Sequence, residues 1–441
     1  MNSLPTPLEW SRLDERGRRS ALQRSAATET RDLRSRVEEL VQDVRARGDE
    51  ALREYTLRYD GAKLTELAVS DAEFAAAGAT LAPGQVEAIA RAIDTVARFH
   101  AAQTGAAISV ETAPGVVCER IEVPIHSVGL YVPAGTAPLP STAIMLAVPA
   151  RLAGCSRRIV CTPPRRDGTA DPAVLIAALA CGVTAIYKLG GAQAIAALAY
   201  GTQSVPRVDK IFGPGNAWVT AAKQLVSADT AGTAIDLPAG PSEVMVISDG
   251  SSRSDFVAAD LLAQAEHGED AQVLLVTDSR RHALECIEAI GRQLEDLPRR
   301  DIAARSVTAA RVILVPDIET AFEVSNEYAP EHLIVHVSEA RRWLPLVRNA
   351  GSVFLGAYTP ESLGDYCSGT NHVLPTGGYA RALSGLGLSD FVKRIIVQEA
   401  TPDGLRALGP VAITLARMEG LEAHARAVSV RLSALDARAA S

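Results

Sequence analysis

Aromatic side chains are scarce. Phe, Trp and Tyr together make up 4% of the 441 residues, so any core must be built from Ala, Val, Leu and Ile. Cysteines are few and unpaired by spacing: Cys118, Cys155, Cys161, Cys181, Cys286 and Cys367 form no CxxC element. Free, mostly buried thiols in a reducing cytoplasm are therefore expected rather than a disulfide framework. Basic charge is not in excess. Lys and Arg total 44 against 52 Asp and Glu, a formal net charge of −8, which argues against a nucleic-acid or other polyanionic partner. No long apolar run exists: the longest stretch, Ala173 to Tyr187, is interrupted by Gly182 and closed by Lys188, too broken to span a bilayer. The opening Met-Asn-Ser-Leu-Pro lacks an apolar stretch behind it and is not expected to act as a secretory signal. Internal repeats and low-complexity linkers are lacking too, so closely packed domains are expected. The G-x-G-x-x-G fingerprint of dinucleotide-binding folds is also missing, as is an acidic residue at the usual distance to hold an adenosine ribose.

What is present is a change of texture along the chain. Residues 1 to about 115 read as helical, with apolar positions such as Leu33, Val37, Leu40 and Val44 on one helical stripe. Gly48 and Asp60-Gly61 punctuate this region. From about 119 to 248, short apolar strands alternate with Ala-rich helices. Strands are expected at 127–132, 157–162, 183–189, 208–212 and 243–248, with helices at 141–153, from Pro172, and at 192–200. The alternation resumes with helices at 254–266 and 280–295 and strands at 272–277, 311–315, 333–337 and 352–355; the last residues, from about 404 to 434, read as helical. Strand, glycine turn and helix in repetition indicate parallel doubly wound sheets. Ligands in such sheets gather beyond the carboxyl ends of the strands, at helix N-termini. Three glycine turns, at 133–136, 190–191 and 213–216, could serve a nucleotide-like ligand.

Several polar residues stand in suggestive company. Gln264 and His267 are three apart at a helix end, so both could reach one ion. Asp365 lies in Gly-Asp-Tyr (364–366), in a glycine-rich loop after Ser-Val-Phe-Leu, and His424 follows Glu419 in a helical stretch. A Gln/His/Asp/His set would suit a borderline divalent ion such as zinc, with positions left open for substrate. Taken locally, each residue reads more simply as a turn or surface polar group, and spacing alone does not assemble the set. Glu331 and His332 are adjacent where an apolar strand begins. Neighbouring side chains on an extended backbone diverge, so the two would serve separate proton transfers rather than share one proton. A plain helix-to-strand turn bearing polar groups is the alternative.

Taken together, the segments resemble the histidinol dehydrogenase family across nearly the whole chain. The resemblance is carried by Gly129-Leu-Tyr-Val-Pro, Gly190-Gly-Ala-Gln-Ala-Ile-Ala-Ala-Leu-Ala-Tyr-Gly-Thr, Val208-Asp-Lys-Ile-Phe-Gly-Pro-Gly-Asn216 and Asp236-Leu-Pro-Ala-Gly-Pro-Ser-Glu243. It continues through Leu261-Leu-Ala-Gln-Ala-Glu-His-Gly268, Tyr328-Ala-Pro-Glu-His-Leu333, Gly351-Ser-Val-Phe-Leu-Gly, the run from Gly364 to Thr376, and Glu419 to His424. One departure, Arg381-Ala-Leu-Ser-Gly-Leu-Gly-Leu-Ser-Asp-Phe391, touches a linker and none of the matched site positions.

The resemblance implies an α/β fold: two Rossmann-like, incomplete doubly wound domains with small helical N- and C-terminal segments. Its implied divisions are an N-terminal segment 1–26, a first α/β domain from 27–129 and 248–382, an NAD-binding domain 130–247, and a C-terminal segment 387–441 crossing to a partner. It implies zinc ligands at Gln264, His267, Asp365 and His424, and a catalytic pair at Glu331 and His332. Implied substrate contacts are Ser242, Gln264, His267, His332, Asp365, Glu419 and His424, and implied NAD contacts are Tyr131, Gln193 and Asn216. A cytoplasmic homodimer with shared active sites is implied, with neither membrane nor nucleic-acid partners. The implied reaction is a four-electron, two-NAD oxidation of L-histidinol to L-histidine, the last step of histidine biosynthesis. In it His332 takes hydroxyl protons, Glu331 activates water, and the metal anchors the substrate's imidazole and amine. Competing readings are the same scaffold acting on another primary alcohol, such as a sulfonated diol, a non-catalytic metal-stabilised protein, and a metal-dependent hydrolase.

Overall fold

A computed structural model describes residues 4–24, 31–134, 137–238 and 240–439. The chain divides into two compact units, the larger formed by residues 1–103 and 125–390, the smaller by 104–124 and 391–441.

The larger unit holds two parallel sheets. The first has six strands in the order Leu8–Glu9, Arg311–Leu314, Gln272–Thr277, Glu243–Ser248, His332–His336 and Ser352–Leu355. Its central strands are buried along their whole length, as a parallel sheet covered on both faces requires. Alternate residues divide between two cores. Val244, Val246, Val273, Leu275 and Ile334 face a layer that includes Val257, Leu261 and Ile290 from helices. Met245, Ile247, Leu274, Leu333 and Val335 face Phe322 and Val324 of the helix Ile318–Tyr328. The second sheet runs Ala185–Lys188, Arg157–Thr162, Ser127–Tyr131, Lys210–Phe212 and Ala234–Ile235. Small side chains let its helices approach closely. The helix Gly191–Tyr200 is buried from Ala192 through Ala199, and the stripe Leu33, Val37, Leu40 and Val44 of helix Arg31–Arg47 packs into the same core.

In each sheet the strand order reverses beside the strand that comes first among its long members. Neighbours at these switch points are Ser127–Tyr131 with Lys210–Phe212, and Glu243–Ser248 with His332–His336. Crevices open at such points.

The smaller unit is an antiparallel sheet, Val392–Ala400 with Val116–Pro124 and then Ile108–Ala113, plus helices Pro402–Met418 and Glu422–Ala439. The two helices agree with the sequence reading, but the three strands were not foreseen. Their side chains are half-buried or exposed throughout, so no alternation of apolar and polar residues marks them. The short strand Leu8–Glu9 also lies where helix was expected; two residues are too few to show a period. Among the described residues, no helix is long and apolar enough to cross a membrane.

Gly213 has φ +122°, and a Cβ there would lie 2.1 Å from the Tyr131 carbonyl oxygen. Gly213→Ala should lower stability by about 1–3 kcal/mol or more, because both a strained backbone and a backbone clash are created. Gly84 has nothing within 4 Å of a built Cβ, so Gly84→Ala should stay within about 0.5 kcal/mol of the parent. Urea unfolding midpoints of the two variants check this, and equal midpoints would refute it.

Candidate active site

The helix Ile318–Tyr328 starts at Asp317, whose side chain caps the Thr320 N–H at 2.8 Å. It ends at Ala329, which takes the left-handed conformation (φ 56°). Pro330 then forces the chain outward, and Glu331 and His332 follow as the strand begins. Both are buried. The neighbouring strand's first residue holds them separately. The Glu243 N–H donates to Glu331 Oε2 at 2.8 Å, and His332 Nδ1 donates to the Glu243 carbonyl at 3.1 Å. Glu331 Oε2 and His332 Nδ1 are 3.7 Å apart, so the two do not share a hydrogen bond. With Nδ1 carrying the hydrogen, the lone pair of the neutral ring is on Nε2. That atom is buried without a hydrogen-bond partner among the described residues, 3.6 Å from Asp365 Oδ1.

Asp365 was expected in a loop. It lies instead in a short helix, Glu361–Tyr366, one turn after Glu361. Glu361 is buried, its Oε1 is 3.7 Å from His332 Nδ1, and its Oε2 has no partner among the described residues. Sequence reading overlooked Glu361. The spacing of Glu361 and Asp365 behind Pro360 would have put both on one helical face, had that stretch been read as helix. Donor atoms of His267, Glu361 and Asp365 all lie within 4.8 Å of one another. Gln264, in the last turn of the helix Ser254–Ala265, is fully buried, and neither of its amide atoms has a partner among the described residues. Buried polar atoms without partners are costly and rare. An amide oxygen, an imidazole and carboxylates converging on one space fit a borderline divalent cation.

Gln264, His267, Glu331, His332 and Asp365 line a cleft of about 770 Å³ together with Ser242, Asn216, Arg24 and His372. This volume is in the usual range for a small-molecule site. His372, also absent from the sequence reading, is held by the Asp365 carbonyl at 2.8 Å and Thr142 Oγ1 at 3.1 Å. From the second sheet the cleft takes Pro133 and Pro214 to Ala217, beyond the carboxyl ends of its strands, as expected. From the first sheet it takes Ser242, Ala271, Glu331 and His332, which stand at the amino ends. The carboxyl-end rule therefore holds for one wall only. At the other end of the first sheet, Ser248 Oγ meets His282 Nε2 at 2.6 Å and His336 Nε2 meets Asp260 Oδ2 at 3.0 Å, filling with buried polar pairs the space a ligand would need.

Of the three positions expected to contact NAD, Asn216 lines the cleft while capping the helix Ala217–Ala228. Tyr131 is buried, its hydroxyl accepting the Gly191 N–H at 3.0 Å, and Gln193 is buried in the first turn of the helix Gly191–Tyr200. Gly135 and Thr136 of the first glycine turn lie outside the described residues. Glu419 and His424 belong to the smaller unit, where both are exposed.

Burial and neighbouring charge shift the titrations. Burial pushes Glu331 up to about 7 and Glu361 up to about 8. Burial alone would lower His332, but the Glu361, Glu331 and Asp365 carboxylates outweigh it and raise the imidazole well above its usual 6.5. Asp365 moves the opposite way: burial would raise it, yet the His332 ring holds it below the ordinary carboxylate value. Desolvation lowers His267 and His372.

A buried carboxylate–imidazole pair with separated anchors, lining a cleft with two parallel sheets, defines an α/β enzyme of the acid–base type. Its relatives narrow that class. The sequence profile of histidinol dehydrogenase matches residues 23–432. The chain is 56% identical over 425 residues to histidinol dehydrogenase of Xanthomonas campestris pv. campestris, covering 96% of this chain and 98% of that one. To the histidinol dehydrogenase of Photobacterium profundum it is 52% identical over 426 residues, covering 97% and 95%. The crystal structure of histidinol dehydrogenase from Elizabethkingia anophelis superposes with a TM-score of 0.94 at 43% identity, covering 98% of this chain and 99% of that one. This chain belongs to the histidinol dehydrogenase family, and it is an oxidoreductase.

The Glu331 shift has a consequence for stability. Below its ordinary 4.5 the carboxyl is protonated in folded and unfolded chains alike. As pH rises from 4.5 through about 7 the unfolded chain ionises first, and the folded state loses stability. In chelator-treated protein, Glu331→Gln should therefore gain about 1–3 kcal/mol relative to the parent between pH 5 and pH 8. Denaturant unfolding at both pH values reads this, and parallel pH dependences would contradict it.

Proposed function

We propose that this chain catalyses the NAD-linked, zinc-dependent oxidation of L-histidinol through L-histidinal to L-histidine, closing histidine biosynthesis. The reading rests on one observation above the others: His332 Nε2 is buried, with no hydrogen-bond partner among the described residues, held beside a separately anchored Glu331 and facing Gln264, His267 and Asp365 across one cleft.

NAD, when bound, accepts a hydride from the substrate carbon in each of two successive oxidations. Zinc, when bound, would supply a fixed positive charge that orients the substrate more than it activates the reacting carbon. Gln264, His267 and Asp365 would hold the ion from this chain, with His424 of a partner subunit completing the set. Ser242 and Glu419 would contact the substrate, and Tyr131, Gln193 and Asn216 the dinucleotide.

His332 removes the hydroxyl proton at Nε2, because a hydride leaves readily only from an alkoxide-like carbon. Its Nδ1–H stays on the Glu243 carbonyl, which fixes the tautomer that can accept at Nε2. Glu331 takes a proton from the water that adds to the aldehyde. Burial places its pKa at about 7, where a carboxylate is basic enough to do so and is still ionised in part. His332 returns its first proton to the aldehyde oxygen as the water adds, and the neutral ring then accepts the hydrate's proton in the second oxidation. The surrounding protein excludes bulk water from both groups.

A homodimer is supported by the smaller unit itself. Ile121, Ile395, Ile396, Val411, Leu415 and Met418 are exposed on its sheet and helices, and such an apolar surface suits a second copy. Six free cysteines suit a reducing, cytoplasmic setting.

The test is an assay with L-histidinol and NAD, with and without a metal chelator. Two NADH formed per histidine released, lost on chelation and restored by zinc, is the expected result; one NADH with free aldehyde, or activity on sulfonated diols alone, would overturn the reading. Glu331→Gln should slow aldehyde oxidation by about 100-fold or more, and full retention would remove its water-activating role. Activity should fall as pH drops and His332 takes up a proton, and His332→Asn should abolish that acid limb together with most of kcat. An unchanged kcat and acid limb in the folded variant would remove His332 as the base.

A further inference from the structure

We propose that Arg24 is a positioning residue for Glu331 and His332, acting through Glu243; the inference rests on the reading of that pair as catalytic. Arg24 lies far from the pair in sequence, yet its guanidinium reaches every element that presents them. Nε donates to Glu243 Oε1 and Nη2 to Glu243 Oε2 at 2.8 Å, a two-point clamp on the residue whose backbone anchors both catalytic side chains. Nη2 also donates to the carbonyls of Tyr328 at 2.9 Å and Ala329 at 3.3 Å. These are the last turn of the helix Ile318–Tyr328 and its left-handed cap, from which Pro330, Glu331 and His332 emerge. The guanidinium carbon stands 3.9 Å from the centre of the Tyr328 ring, which fixes its plane.

One cation thus joins the strand that anchors the pair to the turn that carries it. Glu243 Oε1 also accepts the Gly377 N–H at 2.9 Å, so the cleft wall at Gly377 hangs on the same carboxylate. The Glu243 side chain is 2% exposed and the Arg24 side chain 22%, so the clamp is held largely out of water, where its geometry is strongly specified. Only a planar fork spans Glu243 and two carbonyls together; an ammonium keeps the charge and loses the span.

The test uses the full-length, zinc-loaded protein with L-histidinol and NAD. Arg24→Ala should lower kcat about 10- to 100-fold, the scale of a sub-ångström to 1 Å misplacement of reacting groups, with KM for NAD and bound zinc per subunit unchanged. Millimolar guanidinium chloride should restore part of that turnover, and Arg24→Lys should fall between parent and Ala. Arg24→Ala leaves a buried carboxylate unpaired and could cost folding. The double variant Arg24→Ala/Glu243→Gln removes both charges and should fold while keeping the low kcat. Parent-like kcat in folded Arg24→Lys and in the double variant would overturn the proposal, as would loss of bound zinc in step with activity. A parent protein that makes no NADH from histidinol overturns the underlying reading and this one with it.

Discussion

The two hydrogen bonds made by the main chain of Glu243 are what the cleft depends on. Its N–H takes one oxygen of Glu331 and its carbonyl takes the Nδ1–H of His332, so a single residue of the central strand sets the spacing, the tautomer and the direction of both groups. A strand in the middle of a parallel sheet is the stiffest element available, paired on both sides and buried on both faces. Groups tied to it inherit that rigidity, which a loop would not supply.

The same dependence explains why the first sheet works from its amino edge. The helix Ile318–Tyr328 must deliver Glu331 into contact with the first N–H of Glu243–Ser248, and in a parallel sheet the two strand starts lie side by side: His332 pairs with Val244. The opposite edge, where ligands are usual, is occupied by the Ser248–His282 and His336–Asp260 pairs. In the second sheet the buried Lys223–Asp236 pair is tied to the N–H and carbonyl of Gly213 itself, and Pro214 to Ala217 beyond it still line the cleft. One cleft therefore has an amino-edge wall carrying acid–base groups and a carboxyl-edge wall carrying helix N-termini.

Electrostatics set what the cleft wants. Glu331, Glu361 and Asp365 surround one imidazole, and the nearby guanidinium of Arg24 is engaged by Glu243. Burying several carboxylates without a compensating cation raises their proton affinity, as Glu331 and Glu361 display. A divalent ion at Gln264, His267 and Asp365 would relieve that field and satisfy the stranded amide at the same time.

Periodicity and turn chemistry determined much of the fold by themselves. The strands at 157–162, 243–248, 272–277 and 352–355 announce themselves because short apolar runs bounded by turn residues have few alternatives, and the Ala-rich helices between them do likewise. The adjacency of Glu331 and His332, the i,i+3 pair of Gln264 and His267, and the family-wide motifs were equally open to reading. What only the tertiary structure decided were facts that join distant residues. These are the recruitment of Glu361 and His372, the clamp from Arg24, the choice of the amino edge, and the exposed antiparallel sheet of the smaller unit. Local sequence records which face of an element is apolar. It holds no record of which strand comes to lie beside which, and a hydrogen bond from residue 243 to residue 331 exists only once the chain between them has folded back.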